Sequence, residues 1–225
     1  MYGVKNYMRT ILIIIIIWSV FSCGKINFNK KNIPDEALSE YLSAKRTYEK
    51  GDFAAALQKF KLIYEKYSGF YQAGFMYGKS QFFLGDAGNA GLIFKKLYTD
   101  FPAFTDAGFW QARALYEAGK LKNSEELLKR LLSFQPDNPE MLYMLALISL
   151  EQDRIPDAIS FLRKASLFGE RFALVYFQLG RLYDQLGLED ESLKELSRAK
   201  VLLPKDDALY TSIKLIEEKI SKGSR

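Results

Sequence analysis

The sequence predicts an all-α protein: five two-helix units stacked in line as an α-solenoid and closed by a C-terminal capping helix. Three observations carry this. Turn residues recur every 34 positions, as Gly51-Asp52-Phe53, Gly85-Asp86-Ala87, Gly119-Lys120-Leu121, Asp153-Arg154-Ile155 and Gly187-Leu188-Glu189. Small residues keep step with the turns: Ala44, Gly78, Ala112, Ala146 and Gly180 before them, Ala56, Ala90, Ser124, Ala158 and Ser192 after them. The composition is 48% hydrophobic, 26% charged and low in proline, with six in 225 residues, which suits helices packed on helices. A fixed period of this length marks one supersecondary unit repeated along the chain.

Each element of the period has a physical cause. Small residues on both helices of a unit let the two backbones approach closely. The turn glycine takes the left-handed conformation that ends the first helix. Asp153 stands in for it in the fourth unit, where Pro156 suits the first turn of the next helix. Phe60, Phe94, Leu128, Leu162 and Leu196 repeat four residues beyond the second small position and form the core. Pro102, Pro136 and Pro204 close three units; Ser68 and Glu170 stand there in the first and fourth, with Gly169 as a capping residue. The fourth position, Glu40, Gly74 and Gly108 in the first three units, departs from the pattern. An open stack needs a cap. Residues 207–222 supply one, with Leu209, Ile213, Ile216 and Ile220 on one face and Lys214, Glu217, Glu218 and Lys219 expected on the other; 223–225 form the tail.

This constellation resembles the tetratricopeptide repeat over residues 37–206, in units 37–70, 71–104, 105–138, 139–172 and 173–206. The resemblance implies a right-handed solenoid whose first helices line a concave groove where partners bind. The groove positions are the second, fifth, ninth, twelfth and thirteenth of each unit, one stripe at helical spacing. Position five reads Tyr41, Phe75, Phe109, Tyr143 and Phe177; position nine reads Lys45, Lys79, Arg113, Leu147 and Arg181. Position twelve adds Tyr48, Phe82 and Tyr116, and position thirteen Phe83. An aromatic ladder beside a basic one would hold an extended peptide by stacking, its cations selecting acidic groups or a C-terminal carboxylate. The alternative is that the position-five rings pack between neighbouring first helices. The family's carboxylate clamp is not reproduced, since no Asn occupies position nine. Trp110 belongs to groove or core, Met141 and Met144 to core or rim, and Glu125, Glu126, Lys129 and Arg130 to a solvated helix face.

Residues 1–22 carry Lys5, Arg9 and no acid, then an apolar run from Ile11 to Phe21, the order of a secretory signal. The run is about 16 Å long as helix against a hydrocarbon core of ~30 Å, short for a transmembrane span. Val20-Phe21-Ser22-Cys23 resembles the bacterial lipobox, with Phe21 bulky for its slot. That resemblance implies cleavage before Cys23 and acylation of its thiol and new amine, a stable anchor in the bilayer. Gly24 in place of Asp favours the outer membrane, facing the periplasm. The alternative is that Cys23 ends an uncleaved anchor. Residues 23–36 read as a polar tether, in which Pro34, Asp35 and Glu36 suit a first helical turn.

The function classes narrow accordingly. The chain has no histidine and one cysteine, which excludes His-based triads and internal disulfides. It shows no Gly-rich phosphate loop, and neither enzyme activity nor a cofactor is expected. The formal charge of +5 falls to +3 without residues 1–22, so no nucleic-acid partner is expected. The expected function is a membrane-anchored scaffold at the bacterial cell envelope. Its layout is similar to the five-repeat lipoprotein of the outer-membrane β-barrel assembly machinery, and the helix ends 61–67 and 95–102 resemble that family and periplasmic cell-division coordinators. The alternative is a lipoprotein that binds a small or apolar ligand for a solute transporter. A pocket sealed by Phe82, Phe83 and Phe109 would favour that reading; an open groove favours a peptide.

Overall fold

The computed structural model describes residues 33–67, 69–168 and 172–223. The leader and Cys23, as well as Ser68, Gly169 and Glu170, lie outside them. Eleven helices occupy the described residues: α1 (Asp35–Glu49), α2 (Phe53–Lys66), α3 (Tyr71–Phe83), α4 (Ala87–Asp100), α5 (Thr105–Glu117), α6 (Leu121–Leu132), α7 (Pro139–Glu151), α8 (Ile155–Phe168), α9 (Ala173–Gln185), α10 (Glu189–Val201) and α11 (Ala208–Gly223). From α3 onward the first helices of successive pairs begin 34 residues apart, at Tyr71, Thr105, Pro139 and Ala173. Each helix packs on its neighbour in sequence, which makes an α-solenoid of five pairs plus α11. No described helix is long and apolar enough to cross a membrane.

The turns behave as their residues require. Gly51, Gly85, Gly119 and Gly187 have φ of 82°, 87°, 70° and 72°, and Asp153 reaches 54°. Asp is among the few side chains that tolerate this region, so the fourth turn keeps its shape without glycine. Asp52, Asp86 and Asn138 cap the helices that follow, each accepting a 3.0 Å hydrogen bond from a backbone N–H three residues on.

All the small residues of the period are buried. Phe60, Phe94, Leu128, Leu162 and Leu196 are fully buried, and each lies in a different apolar cluster. The core is thus a row of five cells, as expected for units that touch only their neighbours. Ser124 Oγ donates to the Ala112 carbonyl at 2.7 Å, and Ser192 Oγ to that of Gly180 at 2.8 Å, bridging the two helices of a unit. Other units carry Ala at this position, so Ser124→Ala removes a hydroxyl without opening a void. We expect it to lower unfolding free energy by no more than about 1 kcal/mol in urea denaturation, the net value of one hydrogen bond.

The irregular fourth position has a tertiary explanation. A Cβ on Gly74 would lie 2.6 Å from the Tyr64 ring, and one on Gly108 3.0 Å from Leu131 and 3.3 Å from Tyr98. Tyr64 and Tyr98 each come from the second helix of the preceding unit, so the glycines are sockets for rings that join one repeat to the next. Glu40 instead receives Lys66 Nζ at 3.1 Å.

The cap needs one correction. Ile213 and Ile220 are buried and Leu209 and Ile216 partly so, but Glu217 and Lys219 do not face away. Lys200 Nζ bonds Glu217 at 2.6 Å and Lys219 Nζ bonds Asp184 at 2.9 Å. Because α11 lies against both α9 and α10, its apolar stripe is flanked by a rim where charges meet partners.

Candidate partner-binding groove

The position-five rings sit at the boundaries between repeats. Tyr41, Phe75 and Tyr143 pack on Phe70, Phe104 and Phe172 at 5.1, 4.9 and 5.0 Å between ring centroids. Each partner stands just ahead of the next first helix. The contact therefore clips one unit to the following one, in the tilted and edge-on geometries that aromatic quadrupoles favour. Phe109 has Asn138 at the equivalent place instead of a ring. It is only 8% exposed and packs in the cluster of Ala112, Leu128 and Leu145. The position-five rings are thus chiefly packing, with Tyr41, Phe75, Tyr143 and Phe177 partly exposed.

The aromatic and cationic side chains are concentrated around Trp110, the single aromatic residue at position six. Its indole meets Phe75, Phe82, Phe83 and Phe94 at 6.3, 5.4, 5.8 and 5.8 Å. Phe83 is exposed and stacks on Phe53 at 5.1 Å, with Tyr48 edge-on to both rings. Two cations converge on the indole: Lys79 Nζ lies 4.7 Å and Arg113 Cζ 4.2 Å from its centroid. Lys79 also lies 5.6 Å from the Tyr48 ring and 5.8 Å from that of Phe75. Burial pulls the Lys79 pKa down, and the nearby charge of Arg113 adds to this, against the pull of Asp106 and Glu140. Burial likewise lowers that of Arg113, opposed by Glu140 and Glu117. Among the described residues, no carboxylate lies within ion-pair distance of either cation.

Beside this cluster a cavity of about 510 Å³ is lined by Lys79, Phe109, Trp110, Arg113, Tyr116, Glu117, Glu140, Tyr143, Met144, Leu147, Phe172 and Leu174. It gathers five of the predicted site residues. Tyr116 Oη donates to Glu151 at 3.4 Å, and burial raises the Tyr116 and Tyr143 pKa values. Phe82 and Phe83 do not close over this space. Lys45 is exposed and pairs with Glu49 at 3.7 Å, while Arg181 lies 5.7 Å over its own Phe177, outside the cavity. The basic ladder is therefore two central cations with separate outliers. A hollow of about 540 Å³ between α4 and α6 has Gly88, Gly91, Ala114 and Ala118 in its lining and no aromatic ring.

Sequence reasoning left Trp110 undecided and missed Phe53, Phe172 and Glu140. The break in position six, where other units carry Leu, Met or Gln, was the available signal for the indole. Met141 and Met144 are buried core residues.

Fold and site together define a helical-repeat solenoid that gathers aromatic rings and two cations around Trp110. Family models described as Tetratricopeptide repeat match residues 84–148, 115–173 and 173–200, more than half of the chain taken together. The chain belongs to the tetratricopeptide repeat family. No curated protein matches it in sequence. Among solved structures it is similar to TTC0263, a TPR protein of Thermus thermophilus, at TM-score 0.69 and 19% identity over 80% of this chain and 98% of that one. MamA of Desulfovibrio magneticus gives 0.63 at 17% identity, over 78% and 99% of the two chains. YrrB, described as a TPR protein with an unusual peptide-binding site, gives 0.55 at 16%, over 80% and 92%.

Proposed function

We propose that this protein is a membrane-anchored scaffold that binds an extended, acidic segment of a partner protein in its concave groove. The observation that carries the reading is the pair Lys79 and Arg113, half-buried over one indole with no paired carboxylate among the described residues. Two partly desolvated like charges this close gain from an anion between them. The rings around them offer flat apolar surface for the flanking residues of a peptide. YrrB, with the same fold and a described peptide-binding site, supports peptide as the ligand class. Cys23 supplies the anchor, and the bacterial cell envelope is the proposed location, at the outer membrane facing the periplasm.

Titration calorimetry with extended peptides of matched length tests the groove. Acidic peptides should bind more tightly than neutral or basic ones, and salt should weaken them. The double variant Lys79→Ala/Arg113→Ala should lose tenfold or more in affinity, about 1.4 kcal/mol or above. Equal binding of acidic and basic peptides, or an unchanged variant, would remove the proposal. The anchor is tested separately by labelling cells with palmitate: label retained in Cys23→Ala would show that this thiol is not its site.

A further inference from the structure

The edge of the solenoid where second helices end is strongly apolar in the later repeats, whereas the first two present there only Phe101, 36% exposed, among such large apolar side chains. The last residues of these helices, or those just past them, read Glu65-Lys66 and Thr99-Asp100 in the first two units, as a wet surface should. The same register in the next three reads Ser133-Phe134, Leu167-Phe168 and Val201-Leu202. Phe134, Leu167, Phe168 and Val201 are 72%, 71%, 49% and 83% exposed and belong to none of the core clusters. Residues one repeat apart lie side by side in such a stack. These side chains therefore form a single exposed apolar row, not scattered surface leucines.

Cations stand one turn behind the row. Arg130 is four residues before Phe134, Arg163 before Leu167, Lys164 before Phe168, and Arg198 before Leu202. Arg163 Nε donates to Tyr183 Oη at 3.0 Å and Arg198 pairs with Glu195 at 3.1 Å, which leaves Arg130 and Lys164 as the cations with neither kind of bond among the described residues. Four residues of helix rise about 6 Å. That is the separation between apolar tips set at the headgroup–acyl boundary and cations at the phosphates above them. Acids are also present on this edge, as Asp137, Asp206 and Asp207 in the turns, but Asp207 is engaged in accepting from Leu209 N at 2.7 Å.

The same edge is where the chain enters the fold. Lys66, in the last turn of α2, bonds Glu36, in the first turn of α1, at 3.3 Å. Gln135 Nε2, just past α6, donates to Thr105 Oγ1 at the start of α5 at 3.0 Å. First-helix starts and second-helix ends thus share one side, and a chain anchored ahead of α1 would bring that side toward its bilayer.

We infer that the edge bearing Phe134, Leu167, Phe168 and Val201 docks on an anionic phospholipid surface. The solenoid then stands with its helix ends on the membrane and its groove open along it. This draws on the anchored reading for the presence of a bilayer, not for the contact itself.

Tryptophan placed on the edge of the full chain tests this. Phe134→Trp and Phe168→Trp are compared with Asp100→Trp, the same register in the second repeat, in vesicles of brominated phosphatidylcholine with and without phosphatidylglycerol. Beyond the parent signal, quenching at 134 and 168 should exceed that at 100 by about twofold or more, as expected for side chains 5–10 Å into the interface. It should fall when phosphatidylglycerol is omitted or when Arg130→Glu/Lys164→Glu is added. Equal quenching at all three positions in a chain that floats with the vesicles would overturn the inference while leaving the anchor standing. Burial at 134 and 168 without bromine quenching, with dimers in sedimentation, would assign the row to a second copy and overturn it too. Edge quenching that survives in Cys23→Ala would support the contact as one the edge makes by itself, whatever the outcome of the palmitate test.

Discussion

Phe94→Ala is expected to lower the unfolding free energy by about 3–5 kcal/mol and to abolish peptide binding with it. Phe94 is fully buried on α4, where its ring fills the place of the missing side chain at Gly78 on α3; a Cβ there would lie 2.7 Å from it. Its other face supports the groove, with Phe75 at 5.7 Å and Trp110 at 5.8 Å. Truncation leaves a void between two helices whose nearest side of approach is a glycine, so little is available to collapse into it. Trp110 then loses the surface that holds it beneath Lys79 and Arg113. Urea denaturation gives the free energy and calorimetry the binding. A loss under about 1 kcal/mol would show that this cell repacks, contrary to close packing around the ring.

A second large effect is expected at the other end of the stack. Gly180→Leu should destabilise by about 3 kcal/mol, at the upper end of overpacking. A Cβ at this position would lie 2.6 Å from Leu196 Cγ and 3.2 Å from the backbone oxygen of Ser192. Leu196 cannot retreat, because it is fully buried beside Tyr176, Ala199 and Ile213. Backbone cannot move without loosening the bridge from Ser192 Oγ to the Gly180 carbonyl. Leaving glycine in a helix returns at most about 1 kcal/mol of propensity, which does not offset the collision. Because each repeat touches only its neighbours, the damage should stay local. Hydrogen exchange should show α9 to α11 opening while α1 to α6 keep their protection. Loss of protection along the whole chain would contradict the cellular core.

The periodic part of the fold was legible because it is written in local rules. A left-handed turn every 34 residues selects Gly or Asp, and close helix pairs select small residues on both sides; the chain obeys both at every repeat. The candidate site was legible only as a set of neighbours. Lys79, Phe109, Arg113, Tyr116 and Tyr143 do line one cavity. Position five left two readings open in the sequence, and it is the tertiary contacts that show Tyr41, Phe75 and Tyr143 each packing on a ring 29 residues on, across a repeat boundary. The cap misled in the same way: helical spacing sorted Glu217 and Lys219 onto an outer face, and contact with two helices turned that face into a rim.

Local rules along the chain therefore set the helical units, their number, their turns and the small-to-large pairing inside each one. These follow from interactions between residues at most about one unit apart, so a period suffices to read them. Contacts across repeats settled the rest: which rings pack between repeats and which keep exposed faces, that two cations share the Trp110 indole, and that apolar ends of separate helices lie along one edge. Those outcomes depend on how far each unit rotates on the last. That rotation is set by side chains meeting across boundaries, such as Tyr64 in the Gly74 socket, and no single repeat contains it.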